Sequence, residues 1–150
     1  MDIMVLIRAY DPKDRDAVLH IMQQNVPAYF AEAEIEDLKY YLDFEIEQYF
    51  VLEVDENIVA CGGINVELEE KRAVISWDMV LPAEQGKGYG RKLLEHRISI
   101  LKNMESIDKI TVRTSQLTYL FYQKNGFILH QIVKDYWAKD FDLYSLELRH

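Results

Sequence analysis

One segment limits the possible folds more than any other. Val80-Leu81-Pro82-Ala83-Glu84-Gln85-Gly86-Lys87-Gly88-Tyr89-Gly90-Arg91 carries a strand end through three alternating glycines into a helix. Upstream, residues 73–80 alternate Ala73, Ile75, Trp77 and Met79 with Val74, Ser76 and Asp78; this is the period of a strand and places Ser76 and Asp78 on one face. Downstream, Leu93, Leu94, Arg97, Ile98 and Leu101 recur at helical spacing and predict a long helix over 88–104. A strand feeding a helix in this way points to an α/β chain, and the other periodicities agree. Residues 4–9 suit a short strand, and Asp11-Pro12 starts a first helix with Ala17, Val18, Ile21 and Met22 inward, broken near Pro27. Ile35, Leu38, Leu42 and Ile46 predict a second helix over 34–47. Strands over 49–54 and 58–65 flank the turn Asp55-Glu56-Asn57, with Gly62-Gly63 as a bulge or close backbone approach, and residues 69–72 form a second turn. A strand over 109–113, a short helix over 117–125 capped by Gly126, and late strands over 127–134 and 143–148 complete the order. The order is strand, two helices, three strands, helix, strand, helix and two strands, an α/β mixture with a largely antiparallel first half.

At 150 residues the chain is expected to form a single domain over 1–150, since domains run to roughly 150 residues. Hydrophobic residues at 49% and charged residues at 29%, with six Gly and three Pro, exclude disorder and low-complexity linkers. No apolar run approaches a membrane span, and the N-terminus lacks the layout of a signal peptide, so a cytoplasmic protein with no membrane partner is expected. Cys61 has no second cysteine to pair with and sits in an apolar strand, where it reads as a small core residue. His20, His96, His130 and His150 are scattered without ligand spacing, so no metal is assigned.

The net charge of −9 argues against nucleic acid as a partner, which calls for a basic face. Most of the negative charge lies in one place: residues 30–56 hold ten acids against Lys39 alone, whereas 82–113 hold seven bases against four acids. Such a two-ended chain suits an anionic ligand at the basic part and a cationic one at the acidic part, unless the acids are only a solvated helix face.

The glycine segment lies in that basic part. Glycines let backbone N–H groups approach phosphate oxygens, a helix N-terminus adds unpaired donors and the positive end of its dipole, and Lys87 and Arg91 supply charge. The spacing matches neither the dinucleotide fingerprint nor the P-loop. It resembles instead the GCN5-related N-acetyltransferases (GNAT), whose pyrophosphate loop [QR]-x-x-G-x-[GA] is satisfied by Gln85-Gly86-Lys87-Gly88-Tyr89-Gly90. A second resemblance lies in Leu120-Phe121-Tyr122-Gln123-Lys124-Asn125-Gly126-Phe127, similar to the family's helix-to-strand segment, whose tyrosine lies by the CoA sulfur. Where family members often carry Asn and Ala seven and four residues before that tyrosine, this chain has Ser115 and Thr118.

The resemblance implies an α/β (α+β mixed sheet) chain of the acyl-CoA N-acyltransferase fold, with a central, mostly antiparallel sheet flanked by helices, and acetyl-CoA as the acetyl-donor cosubstrate. Its binding would involve Met79, Val80 and Leu81 at the strand end, Gln85, Gly86, Lys87, Gly88, Tyr89, Gly90 and Arg91 in the loop, and Ser115, Tyr122 and Lys124 downstream. It implies transfer to the primary amine of a cationic small-molecule or peptide acceptor by direct attack in a ternary complex, and leaves room for a homodimer. Because an alkylamine of pKa about 10.4 is protonated at neutral pH, a base or water must take its proton. Asp78 is the first candidate, with Glu67, Glu69 or ordered water as substitutes. Tyr122 matches the general acid that protonates the leaving thiolate, and a backbone N–H at Met79 or Val80 is expected to face the oxyanion. Trp77, Tyr119 and Trp137 are candidates to line the acceptor pocket, and 135–142 is expected to form a loop over it. The competing reading is an acyl-CoA-binding sensor or regulatory module that turns over no amine.

Overall fold

The computed structural model describes residues 2–149, the side chain of Arg149 excepted. Strand β1 (Val5–Ala9) leads into a 3-10 turn, Pro12–Asp14, closed by a capping box: Asp11 accepts from Lys13 N, and Asp14 accepts from Asp11 N at 2.9 Å. Helix α1 (Arg15–Gln24) follows and buries Val18, Leu19, Ile21 and Met22. Helix α2 (Glu34–Tyr40) passes into a π-helical turn, Tyr41–Glu45. The expected helix over 34–47 therefore ends early. Asn65 Nδ2 donates to Glu45 O at 2.8 Å and Val66 N donates to Glu47 Oε1 at 2.9 Å, and these bonds draw the chain out of the helix into an extended Ile46.

Strands β2 (Gln48–Val54), β3 (Asn57–Glu67) and β4 (Arg72–Val80) form an antiparallel meander. Asp55 and Glu56 turn its first hairpin with positive φ at both positions, as a tight two-residue turn requires. Helix α3 (Tyr89–Lys102), β5 (Lys109–Thr114), helix α4 (Tyr119–Lys124), β6 (Ile128–Ala138) and β7 (Phe141–Arg149) complete the order. The seven strands lie as β1-β2-β3-β4-β5-β7-β6, and β4–β5 is the parallel pair. The expected loop over 135–142 is mostly strand. β6 and β7 continue to Ala138 and Phe141, so this segment is the end of a long hairpin.

Two apolar layers sandwich the sheet. Leu93, Leu94 and Leu101 of α3 and Tyr122 of α4 pack with Ile64, Ala73, Ile75 and Val112 on one face. Val18, Ile21 and Met22 of α1 and Leu38 of α2 pack with Val51, Cys61 and Met79 on the other. β4 and β5 pair only from Arg72/Lys109 to Ile75/Val112, after which the two strands part in the middle of the sheet. Among the described residues no helix is long and apolar enough to cross a membrane.

Candidate active site

The parting strands expose the C-terminal half of β4, which is not a regular strand. Cys61 pairs with Met79 and Gly63 with Ser76, leaving Trp77 and Asp78 opposite Gly62 alone: a bulge, with Trp77 at φ 49°. Tyr49 Oη donates to Trp77 O at 2.8 Å and pins it. The extra residue corrects the simple alternation, because Ser76 and Asp78 fall on opposite faces. Ser76 Oγ donates to Asn65 Oδ1, which also accepts from Tyr41 Oη at 2.6 Å, on the α1/α2 side. Asp78 turns to the α3/α4 side, where Oδ1 forms an ion pair with Arg97 and Oδ2 accepts from Tyr122 Oη at 2.6 Å.

Arg97 was legible only as one of the residues on the apolar spacing of α3; the structure shows it fully buried. Its Nε donates to Leu93 O at 3.2 Å and its Nη1 to Gly63 O at 3.1 Å. A charged residue on an apolar helix face signals a buried counter-charge, although the sequence does not say which. Gly62 leaves space for this pair: a Cβ there would overlap Asp78 Oδ1 and lie 2.7 Å from Arg97 Nη1. Burial, with the Asp78 carboxylate alongside, holds the Tyr122 proton well above the ordinary tyrosine range.

A groove of about 520 Å³ runs from this pair to the start of α3. Asp78, Met79, Val80, Gln85, Gly86, Gly88, Tyr89, Gly90, Arg91 and Tyr122 line it, so most of the residues read from the sequence are brought together. Gly86 and Gly88 have φ of 80° and 84°, a conformation glycine adopts without strain, and neither backbone is covered. Gly88 caps α3 without a side-chain bond, which leaves the first-turn N–H groups available. Leu81, Lys87 and Lys124 are not on the groove wall. Leu81 N donates to Val59 O, Lys87 Nζ pairs with Glu84 at 2.9 Å, and Lys124 is exposed. Ser115 lies on the other side of the junction and accepts from Leu117 N. Asn25 was not anticipated; it is buried, and its Nδ2 donates to Ile21 O and Val80 O, tying the end of α1 to the end of β4. Leu81 N bonding Val59 O sets the antiparallel alternation: Met79 faces β3, and the Val80 N–H points to the side from which β5 has parted. Cys61 also borders the groove, and burial pushes its thiol up to about 12, far from a thiolate nucleophile.

A second cavity of about 350 Å³ opens on the α1/α2 face. Phe30, Tyr41, Trp77 and Trp137 line it, together with Glu34, Glu45, Glu67 and Arg113. Tyr119 is not part of it and packs against Tyr144 at 4.5 Å. Glu69 sits in the 3-10 turn Leu68–Glu70, off the cavity wall. Both cavities share Tyr29, Phe30, Thr114, Thr118, Asp78 and Tyr122, so they meet around the Asp78–Tyr122 pair. Among the described residues no three His, Cys, Asp or Glu side chains are grouped to hold a metal ion.

This arrangement has counterparts. Residues 45–129 match the acetyltransferase (GNAT) domain family, and the chain belongs to it. An amino-acid acetyltransferase of Actinobacillus pleuropneumoniae serotype 3 (strain JL03) is 32% identical over 90 residues, 59% of this chain and 20% of that protein. One from Pasteurella multocida (strain Pm70) is 33% identical over 91 residues, 61% and 20% of the two chains. The chain thus spans about a fifth of the length of these curated relatives. In fold it is similar to the ribosomal-protein-S18-alanine N-acetyltransferase of Escherichia coli, with TM-score 0.80 and 21% identity over 97% of this chain and 94% of that one. It is also similar to a Vibrio cholerae spermidine N-acetyltransferase in complex with CoA and spermine, with TM-score 0.74 and 16% identity over 97% and 95%. The family uses acetyl-CoA. The uncapped helix start and the two uncovered glycines suit its pyrophosphate, and the groove leading to Tyr122 suits its arm.

Proposed function

We propose that the protein is an acetyl-CoA-dependent N-acetyltransferase that transfers acetyl directly to a primary amine of a small molecule or peptide. The observation that carries this reading is the meeting of the two cavities at Asp78 and Tyr122. Acetyl-CoA supplies the activated thioester. The loop at Gln85, Gly86, Gly88 and Gly90 with Arg91 holds its phosphates, while Met79 and Val80 line the way to Tyr122. The amine enters from the other cavity as an ammonium, favoured by Glu34 and Glu45.

Asp78 Oδ2 takes one ammonium proton, directly or through water. Protonation there frees the Tyr122 hydroxyl, which in the resting site is donated to Asp78, to give its own proton to the departing sulfur; Tyr122 then recovers a proton from Asp78. The second amine proton goes to water, so the balance is one amide, one thiol and one released proton. The Val80 N–H faces the charge that develops on the carbonyl oxygen.

Calorimetric titration with acetyl-CoA, with desulfo-CoA and ATP as controls, tests the donor site, and a panel of amines with free-thiol detection tests turnover. Selective, saturable binding with release of thiol is expected. Binding without thiol release from any amine would favour the sensor reading, and no binding at millimolar acetyl-CoA would refute both.

A further inference from the structure

We infer that Arg113 is an anion anchor in the acceptor cavity and that the acceptor is an amine that also carries a carboxylate, as an amino acid or ω-amino acid does. The inference rests on the acceptor-cavity reading above and specifies what occupies that cavity.

On β5, Ile110 and Val112 point into the core beneath α3, so Arg113 is carried to the opposite face, where it lines the cavity. The guanidinium is held by neutral groups. Its Nη2 donates to Tyr136 Oη at 2.5 Å, and its Cζ lies 4.9 Å from the Tyr136 ring centre and 5.5 Å from that of Trp137. Trp137 is fixed in turn, because its Nε1 donates to Thr114 O at 3.0 Å. The aromatic contacts orient the fork without neutralising it.

The other arginines with described side chains contrast with it. Arg8, Arg15, Arg72, Arg91 and Arg97 each have a carboxylate partner. Arg113 has none among the described residues, although the sequence holds 26 acids against 17 bases. The cavity's acids, Glu34, Glu45, Glu67 and Asp78, come from α2, the π turn, β3 and β4, and none of them forms an ion pair with it: Glu67 pairs with Arg72 and Asp78 with Arg97. An oriented guanidinium with free N–H donors suits a planar carboxylate, which takes two parallel bonds.

The cavity fits a small molecule. Ile75 and Val112 form the last pair before β4 and β5 part, and Arg113, the next residue of β5, shares one cavity wall with Ser76 and Asp78. A cavity of about 350 Å³ bordered by both Arg113 and Asp78 has room for an acceptor of amino-acid size.

The test compares acceptors that differ only in the carboxylate: lysine with cadaverine, and the protein amino acids with their amides. Free-thiol release is measured for wild type, Arg113→Met and Arg113→Lys. At least one amino acid should exceed its counterpart without the carboxylate about tenfold in kcat/KM. Arg113→Met should erase that preference by raising acceptor KM, with acetyl-CoA KM unchanged, and Arg113→Lys should restore part of it. Equal kcat/KM for every matched pair in the wild type, or an unchanged preference in Arg113→Met, would overturn the inference. A second readout needs no turnover: calorimetry of N-acetyl amino acids and their amides, with CoA present. Tighter binding of the acids, lost in Arg113→Met, supports the anchor even if no thiol is released, in which case it is the proposed activity that fails. Equal binding of acids and amides would overturn the anchor by itself.

Discussion

Replacing Arg97 with methionine removes a buried guanidinium and strands the carboxylate it faces. Three contacts are lost together: the ion pair to Asp78 and the donations to Gly63 O and Leu93 O. Losing one partner of a buried pair costs about 3–5 kcal/mol, and the Asp78 side chain, 18% exposed, retains enough solvent to place the loss near the lower end. About 3 kcal/mol in a chain of this size corresponds to a fall in Tm of roughly 6–12 °C. Urea unfolding followed by the fluorescence of Trp77 and Trp137 gives the free energy, provided that the slope with urea is unchanged. Asp78→Asn in the Arg97→Met background supplies the sharper comparison. With no charge left to strand, the double variant should be more stable than Arg97→Met alone, and the cycle should show a coupling of 1 kcal/mol or more. A loss below about 1 kcal/mol for Arg97→Met, or additivity of the two changes within about 0.5 kcal/mol, would refute the claim that the ion pair organises this site.

Tyr122→Phe should lower kcat at least tenfold while leaving acetyl-CoA affinity within about twofold; wild-type turnover would remove the general-acid role. Charge reversal should weaken acetyl-CoA binding more at Arg91, on the groove wall, than at Lys87, which Glu84 holds off it; the reverse ranking by calorimetry would relocate the phosphates. The fold should lose stability in alkali. Burial raises the Cys61 thiol from 9.0 to about 12, and Tyr49 and Tyr122 also stay protonated well above the ordinary tyrosine range. The unfolded chain therefore releases protons first: the stability contribution is complete below pH 9 and is lost as pH rises through the folded values. Cys61 alone contributes about 2–3 kcal/mol of this by pH 11, and a Tm unchanged from pH 8.5 to pH 11 would contradict it.

Local signals in the sequence identified much of the architecture. Asp11-Pro12, Asp55-Glu56-Asn57 and Gly126 mark their turns by backbone chemistry that depends on nearest neighbours, and each turn lies where it was read. The glycine segment was legible for the same reason, since the α3 start and the open backbone of Gly86 and Gly88 are local properties. Residues whose surroundings come from distant strands were harder to assign. Lys87 and Arg91 look alike as basic residues of one loop, yet Glu84 takes the first and the second faces the groove. Tyr119 and Trp137 are both aromatic residues near the late strands; Tyr144 claims one, and the bond to Thr114 O directs the other toward the cavity. Arg113 gives no local sign at all, because the rings that orient it lie 23 and 24 residues further along the chain.

The bulge at Trp77 shows why strand alternation failed where it mattered most. In a regular β4, Asp78 would point with Ser76 toward Asn65 and the α1/α2 face, and Tyr122 on α4 would have no acceptor for its hydroxyl. One extra residue reverses the face of everything after it. Ser76 and Trp77 therefore wall the cavity on the α1/α2 face, Val80 borders only the groove, and Asp78 borders both. The same inversion turns a carboxylate toward the core, which is tolerable only because Arg97 neutralises it and Gly62 leaves the space. Gly62, Trp77, Asp78, Arg97 and Tyr122 thus form one device contributed by β3, β4, α3 and α4. A helix-facing arginine and a glycine pair in a strand, unremarkable when read separately, are both required by a single bulge between them.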